Sequence, residues 1–219
     1  MSERATKASI SRALVTNLLA AVRPQVTDLH GRSWEEIETA VRDRMIELTE
    51  QNKARMIDAP SQQWLLLASM VLAAYRELLP LVGDEQTGLS ILCNAMATPF
   101  KERLTGYIAD RFGISQEAPD GEFNRITENF KARGEERFGK AYTYVQEVQD
   151  EGRSFINIQK CFFDDFFRAN GMPEVTSIFC AMDNLWAEEL EKPKYGVRFE
   201  RPTTLARGDD MCRFQFTKK

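Results

Sequence analysis

The chain has 219 residues, 43% of them hydrophobic and 28% charged, which is ordinary for a globular protein with a sizeable core. Its formal net charge of −4 provides no basic surface for nucleic acid or an anionic membrane. The N-terminus lacks a signal-peptide apolar run, and the most apolar stretch, 64–75, is shorter than the roughly 20 residues of a membrane span, so we expect a cytoplasmic protein with reduced thiols.

The N-terminal part of the chain has the apolar spacing of helices. Ser33 and Glu36 form a capping-box pattern at the start of the second helix. Pro80 is expected to end the third helix, and Pro99 to interrupt the fourth. The predicted helical segments are 5–22, 34–48, 62–79, 84–112 and 123–138, with a loop over 113–121.

The pattern changes to strands and short helices after Gly139. Alternation predicts a hairpin with a turn at 150–152, and Cys161 opens a short aromatic helix. The remaining predicted elements are a helix around Cys180 and strands over 195–201 and 211–216. The sequence therefore predicts one α+β domain over 1–219, in which a helical part, 1–139, packs on a roughly four-stranded antiparallel sheet from 140–219.

Three of the four cysteines lie in different elements of the C-terminal part. Cys180 and Asp183 are three residues apart and share a helix face. Cys212 belongs to the inward set of the last strand, and Cys161 begins the aromatic helix. We expect these four side chains to meet in one pocket, whereas Cys93 is interpreted as a small core residue.

Two kinds of chemistry suit such a pocket. A thiolate nucleophile needs a base, for which Asp183 and the single histidine, His30, are the candidates. Alternatively, three thiolates and a carboxylate match zinc in number, although paired Cys-x-x-Cys spacing is missing from the sequence. We therefore predict no resident metal and keep zinc as the alternative cofactor.

The segment 201–214, RPTTLARGDDMCRF, adds polar groups beside the expected pocket. Arg201 ends a predicted strand, where its guanidinium can hold a substrate carboxylate. Gly208 is expected in a turn with positive φ. A phosphate-binding glycine loop, a His-x-x-x-His pair and a Gly-x-Ser-x-Gly elbow are all missing from the sequence.

These C-terminal features resemble the L-2-amino-thiazoline-4-carboxylic acid hydrolase family. The resemblance rests on Cys161 at a helix start, on the spacing of Cys180 and Asp183, and on the 201–214 run, and it covers about the last 80 residues. It implies a small α+β enzyme that opens a carboxylate-bearing cyclic amidine or thiazoline by adding water.

The same resemblance implies roles for individual residues. Cys180 and Asp183 become nucleophile or water-activating candidates, and Cys161 and Cys212 become pocket thiols. The substrate-binding candidates are Arg201, Thr204 and Gly208. A small molecule is then the expected partner, and the oligomeric state stays open. The alternative functions are a sensor module that binds a small molecule or metal, and a biosynthetic isomerase or cyclase on the same fold.

Overall fold

A computed structural model describes residues 3–114 and 123–219, with side chains described from residue 13 onward in those ranges. The helices of this part of the chain are α1 (Glu3–Val22), α2 (Trp34–Gln51), α3 (Ala59–Val82), α4 (Glu85–Glu102), α5 (Leu104–Phe112), α6 (Phe123–Phe138), α7 (Phe162–Ala169) and α8 (Thr176–Leu190). The strands are β1 (Thr143–Gln149), β2 (Arg153–Lys160), β3 (Val197–Glu200) and β4 (Cys212–Lys218). The α+β fold is confirmed, the single domain stays a prediction, and most of the predicted 113–121 loop lies outside the described residues.

The start of α2 is fixed by the predicted capping box. The Ser33 hydroxyl accepts the Glu36 backbone N–H at 3.2 Å, and the Glu36 carboxylate accepts the Ser33 backbone N–H at 2.7 Å. The two side chains thereby satisfy helix N–H groups that have no partner within the helix. The buried stripe of α2 then packs against α3.

Helix α3 is longer at both ends than predicted. Asp58 caps it by accepting the Ser61 N–H at 2.8 Å, so the helix begins at Ala59. The prediction that Pro80 ends it is wrong, because Pro80 lies in the last turn and removes only one backbone bond there. The chain turns instead at Gly83, whose φ of 80° favours glycine.

The length of α3 also corrects the expectation that every apolar stretch is too short to cross a membrane. Its 24 residues are apolar enough for a span by length and composition alone. However, 61% of its apolar window is buried against the rest of the chain, and the helix packs on α2, α4 and α7. Its apolar character is therefore accounted for by its place at the centre of the helical layer.

The predicted interruption near Pro99 lies elsewhere. Pro99 is inside α4, and the chain breaks at Arg103, where α4 ends and α5 begins. The Phe100 and Tyr107 rings pack edge to face across this break, with centroids 4.9 Å apart. Helix α5 then places Tyr107 and Arg111, four residues apart, along one face.

The sheet is antiparallel throughout, with the strand order β1-β2-β4-β3. The predicted hairpin turn is present, where the Asp150 carboxylate accepts the N–H groups of Gly152 and Arg153 at 3.0 and 2.7 Å. On β4, the residues predicted to face inward are all buried, namely Cys212, Phe214 and Phe216.

The buried side chains form two clusters. One lies among the helices α1 to α4 and α7, and the other lies between the sheet, α5, α6 and α8. Helix α8 joins them, because Ile178 belongs to the first cluster and Trp186 to the second. Tyr142 and Cys161 pack against both clusters, so the junction between them is where the candidate site lies.

Candidate functional site

A cavity of about 230 Å³ lies at the junction of the two clusters. Aromatic residues make up half of its lining, and Trp64 and Arg137 border both the cavity and a polar surface groove. We place the mouth of the cavity between these two residues. The structure brings together the four residues predicted to converge, since all of them line this cavity: Cys161, Cys180, Asp183 and Cys212.

Three different elements bring these side chains to the cavity. Helix α8 carries Cys180 and Asp183 on one face, with Thr176 one turn earlier. Cys161 is the N-cap residue of α7, and its thiol lies 3.6 Å from the Tyr142 hydroxyl. Cys212 begins β4, where its sulfur accepts the Leu205 backbone N–H at 3.3 Å.

Asp183 is held by two donors and still faces the cavity. Trp186 donates its indole N–H to Oδ1 at 2.9 Å, and Arg201 donates to Oδ2 at 2.7 Å. The side chain is 33% accessible, and it lines the cavity. Burial raises the pKa of Asp183, and the Arg201 charge opposes that rise. Its two oxygens keep lone pairs for a further donor, such as a water molecule.

Arg201 lies behind Asp183 and is not among the residues that line the cavity. Its guanidinium donates to the Cys180 carbonyl at 3.1 Å and to the Asn184 side-chain oxygen at 3.0 Å, in addition to Asp183. It also lies 5.6 Å from the Phe214 ring centroid. With its side chain only 9% exposed, this fork fixes the Asp183 carboxylate against α8.

The three cavity thiols are in the neutral form at pH 7. Burial raises the pKa of Cys161 to about 12 and that of Cys212 to about 11. Burial also raises the pKa of Cys180 well above its ordinary value, and the nearby Asp183 charge adds to the rise. The thiolate is the nucleophilic form of cysteine. Before a ligand binds, the three sulfurs are therefore neutral, polarisable surfaces that line the cavity near Asp183.

Thr204 and Gly208 do not reach the cavity either. Thr204 is 2% exposed, and its backbone N–H donates to the Asp209 carboxylate at 2.8 Å. Gly208 ends a short 3-10 turn with a φ of 89°, which is the positive-φ turn that the sequence predicts. Both residues lie in the loop that connects β3 to β4. Their contact with substrate stays a prediction.

His30 lies away from this site. Its ring Nε2 is 3.2 Å from the Leu81 carbonyl, its side chain is 56% exposed, and it does not line the cavity. Within residues 3–114 and 123–219, no group of three or more His, Cys, Asp or Glu side chains is placed to hold a metal ion. Asp183 is the one carboxylate among the described residues that line the cavity.

Arg111 is a cavity residue that was not among the residues predicted for the site. It lines the cavity, is only 2% exposed, and donates a hydrogen bond to the Phe130 carbonyl of α6. A signal was present, because Arg111 lies between Ile108 and Phe112 on the apolar face of a predicted helix. An arginine on such a face is either buried with partners or serves a ligand.

Thr176 was also missed. It lines the cavity, is 1% exposed, and its hydroxyl has no hydrogen-bond partner among the described residues. A buried hydroxyl without a partner is unfavourable. The cavity thus contains a polar group that a ligand could satisfy.

Comparison with known proteins gives one family. A family model described as L-2-amino-thiazoline-4-carboxylic acid hydrolase matches residues 63–216. No curated protein matches the chain. Among solved structures, an H-NOX domain from Shewanella oneidensis in the Fe(II)CO ligation state is 10% identical, covers 84% of this chain and 97% of its own, and has a TM-score of 0.31, so no function is inferred from it.

Proposed function

The chain belongs to the L-2-amino-thiazoline-4-carboxylic acid hydrolase family, and on that premise we propose that it hydrolyses a C–N bond of a small, carboxylate-bearing heterocycle in the cavity. The substrate class is a cyclic amidine or thiazoline. One observation supports the proposal above the rest: Asp183 and three thiols from separate elements line the same small cavity.

The size and wall of the cavity suit such a ring. Sites for drug-sized ligands occupy about 300–1,000 Å³. The cavity here, at about 230 Å³, is smaller, so it is suited to a single small ring with one or two substituents. Its aromatic wall offers flat faces for a planar ring, and the few polar groups can fix the ring's orientation.

Asp183 is the group that we propose as the base. Its free lone pairs bind a water molecule, and the carboxylate removes a proton as the water oxygen bonds to the amidine carbon. The π electrons of the C=N bond move to the ring nitrogen, which takes the proton from the Asp183 carboxyl and leaves a hydroxyl on the carbon. Asp183 then transfers the hydroxyl proton to the same nitrogen, and the C–N bond breaks as the carbonyl forms and the nitrogen leaves as a primary amine.

The surrounding residues support this role for Asp183. Trp186 and Arg201 hold its two oxygens at 2.9 and 2.7 Å, so the carboxylate is oriented before substrate arrives. Burial raises the pKa of Asp183, which makes it a stronger base than an exposed carboxylate once it is ionised. The neutral Cys161, Cys180 and Cys212 are proposed to contact the ring.

The test is turnover by an Asp183→Asn variant. Wild-type protein is incubated with 2-amino-thiazoline-4-carboxylate, and the ring-opened product is detected by mass spectrometry as substrate plus one water. We expect Asp183→Asn to reduce the rate by about 10²- to 10⁴-fold, the usual contribution of a general base. A Cys93→Ser variant, altered outside the cavity, is the matched control and should keep the wild-type rate.

The same measurement separates the alternatives. A wild-type protein that binds the compound and returns it unchanged is a binding module, and a product with the mass of the substrate indicates an isomerase or a cyclase. An Asp183→Asn variant that turns over at the wild-type rate contradicts the base assignment. If no ring of this class is bound or opened, the proposed substrate class is wrong.

The state of the cysteines supports a proposal for the cellular compartment. All four cysteines are free, and none is paired in a disulfide. Free thiols of this kind persist where glutathione and thioredoxin keep them reduced, so we propose that the enzyme acts in the cytoplasm on a small-molecule substrate.

A further inference from the structure

Arg111 is a cation enclosed by protein at the wall of the cavity. It is 2% exposed, and its guanidinium lies 4.2 Å from the Phe130 ring centroid and 5.9 Å from that of Phe138. Removing a full charge from water is costly unless a partner compensates for it. The aromatic faces and the Phe130 carbonyl provide part of that compensation.

The ion pairs between described residues do not include Arg111. Asp183 is near enough to interact with its charge, but Arg201 already holds that carboxylate at 2.7 Å. A guanidinium has five N–H donors, and the Phe130 carbonyl uses one of them. The Tyr107 hydroxyl is a second partner. Among the described residues, Arg111 therefore keeps N–H donors without a partner, in a place that water reaches poorly.

The charged side chains that line the cavity are more often positive than negative. Its charged lining residues are two arginines, Arg111 and Arg137, against one carboxylate, Asp183. Of the two arginines, Arg137 lies toward the mouth with its side chain 43% exposed and its guanidinium 3.9 Å from the Asp110 carboxylate, so water and this carboxylate screen its charge. Arg111 is the buried member of the pair, and its interaction with an anion is the stronger for that reason.

Helix α6 is shaped so that this guanidinium can enter. A Cβ atom at Gly134 would lie 2.6 Å from Arg111 Nη2, 2.9 Å from Nη1, and 2.9 Å from Tyr144 Cζ. Glycine inside a helix costs about 1 kcal/mol relative to alanine. Its presence in mid-helix is explained if the space beside it must hold the guanidinium against the Phe130 carbonyl one turn away.

We propose that Arg111 binds the carboxylate of the substrate, and that Gly134 positions the guanidinium for this contact. The inference rests on the proposed function, because it names the group that recognises the carboxylate of that substrate class. The planar fork of Arg111 forms two charge-assisted hydrogen bonds to the carboxylate, and the heterocycle is then directed along the cavity toward Asp183.

Binding of two unreactive probes tests this proposal independently of turnover. Thiazole-4-carboxylate carries the charge but has no amidine to hydrolyse, and thiazole-4-carboxamide has nearly the same shape without the charge. Calorimetric titration of wild-type protein should give about 10- to 100-fold tighter binding of the carboxylate, the range expected for hydrogen bonds to a charged group. Arg111→Met should remove this preference and leave carboxamide binding nearly unchanged.

Arg137→Met is the matched control, since it removes the other lining arginine and should keep the preference. If Arg111→Met fails to fold, Arg111→Lys replaces it; the lysine keeps the charge without the fork, and we expect a preference reduced by about tenfold. Should both fail to fold, the wild-type and Arg137→Met titrations decide the outcome.

Several results overturn the proposal. These are equal binding of the two probes by wild-type protein, binding of neither probe, loss of the preference in Arg137→Met, and a full preference in a folded Arg111→Met or Arg111→Lys. The last result would leave Arg111 as a structural residue. Failure of the proposed function is distinguishable, since an Arg111-dependent preference without ring opening leaves the carboxylate site intact and removes only the hydrolase activity.

Discussion

The helical layer and the cavity each enclose charged side chains, but these charges are paired to different extents. In the helical layer, Glu77 is paired through both oxygens, with Arg32 at 3.0 Å and Arg44 at 3.0 Å, and only 11% of its side chain is exposed. In the cavity, Asp183 has Arg201 on one oxygen, and 33% of its side chain is accessible. Arg111 has no carboxylate within ion-pair distance among the described residues.

This difference separates two uses of a buried charge. Glu77 is surrounded by its partners, so its charge can only stabilise the packing of α2 on α3. Asp183 and Arg111 are left partly unsatisfied beside a cavity, so the protein loses some stability there and gains groups that can act on a ligand. Burial alone does not identify a functional charge, whereas burial next to unfilled space does.

The largest expected effects come from exchanging the two carboxylates for amides. Asp183→Asn should reduce ring opening by about 10³-fold, because the amide cannot accept a proton from water. Glu77→Gln should leave turnover unchanged and lower the free energy of unfolding by about 2 kcal/mol. That value lies between the cost of losing an exposed pair and a fully buried pair, since the arginines of Glu77 remain partly exposed.

Steady-state kinetics and urea unfolding of both variants check this pair of outcomes. The comparison fails if Glu77→Gln slows turnover as much as Asp183→Asn does while remaining folded. It also fails if Asp183→Asn changes stability alone, because the cavity carboxylate would then be structural like Glu77.

The pH dependence of turnover should show the raised pKa of Asp183. Burial raises this pKa above its ordinary value of 3.8, and the base must be ionised to act. We expect kcat/KM to fall about tenfold per pH unit below the raised pKa and to be constant above it. An acidic limb centred at or below 3.8 would show that Asp183 is not the titrating base.

The contribution of Asp183 to the free energy of unfolding should increase as the pH falls, whereas turnover should decrease. A carboxyl whose pKa is raised on folding binds its proton more tightly in the folded state, so the ionised form costs stability above the folded pKa. As the pH falls through the folded pKa toward 3.8, this cost is relieved in wild-type protein. The Asp183→Asn variant has no carboxyl to ionise at this position, so it lacks this cost. The free energy of unfolding of both proteins, measured as a function of pH, gives the cost as the difference between the two curves.

Two glycine substitutions compare a filled space with an open one. Gly134→Ala should destabilise the protein by about 1–3 kcal/mol, because the new Cβ would lie 2.6 Å from Arg111 Nη2. Gly106→Ala in α5 is the control, since nothing lies within 4 Å of its added Cβ, and alanine should stabilise that helix by about 1 kcal/mol. Thermal unfolding checks both, and equal shifts would contradict the close approach of Arg111 to α6.

Local patterns in the sequence were sufficient for much of the fold. The Ser33 capping box and the inward set of β4 were correct, because caps and alternation depend on residues only a few positions apart. The break between α4 and α5 was misplaced, and the end of α3 was predicted too early. A proline near a helix end costs little, and the packing of neighbouring elements then decides where the chain turns.

The site was predictable only in part, for the same physical reason. The face shared by Cys180 and Asp183 follows from helical spacing, but the residue that pairs with Asp183 does not. Arg201 reaches it from 18 positions away, because the end of β3 lies beside α8. Arg111 was missed because the spacing of apolar residues shows which face is buried, and does not show whether that face meets packed side chains or a cavity.

The smallest expected effect on turnover is that of Cys180→Ser. This variant compares a neutral side chain of the cavity with the charged Asp183. Burial and the neighbouring Asp183 charge raise the pKa of Cys180 well above its ordinary value, so the resting protein holds a neutral thiol there. If the Cys180 sulfur only contacts the ring, the serine variant should keep kcat within about tenfold of wild type, because the proposed base, Asp183, is still present. Cys93→Ser, outside the cavity, provides the baseline for any loss of stability. A folded Cys180→Ser variant that loses activity as completely as Asp183→Asn would instead make Cys180 the nucleophile, with its thiolate formed only when substrate is bound.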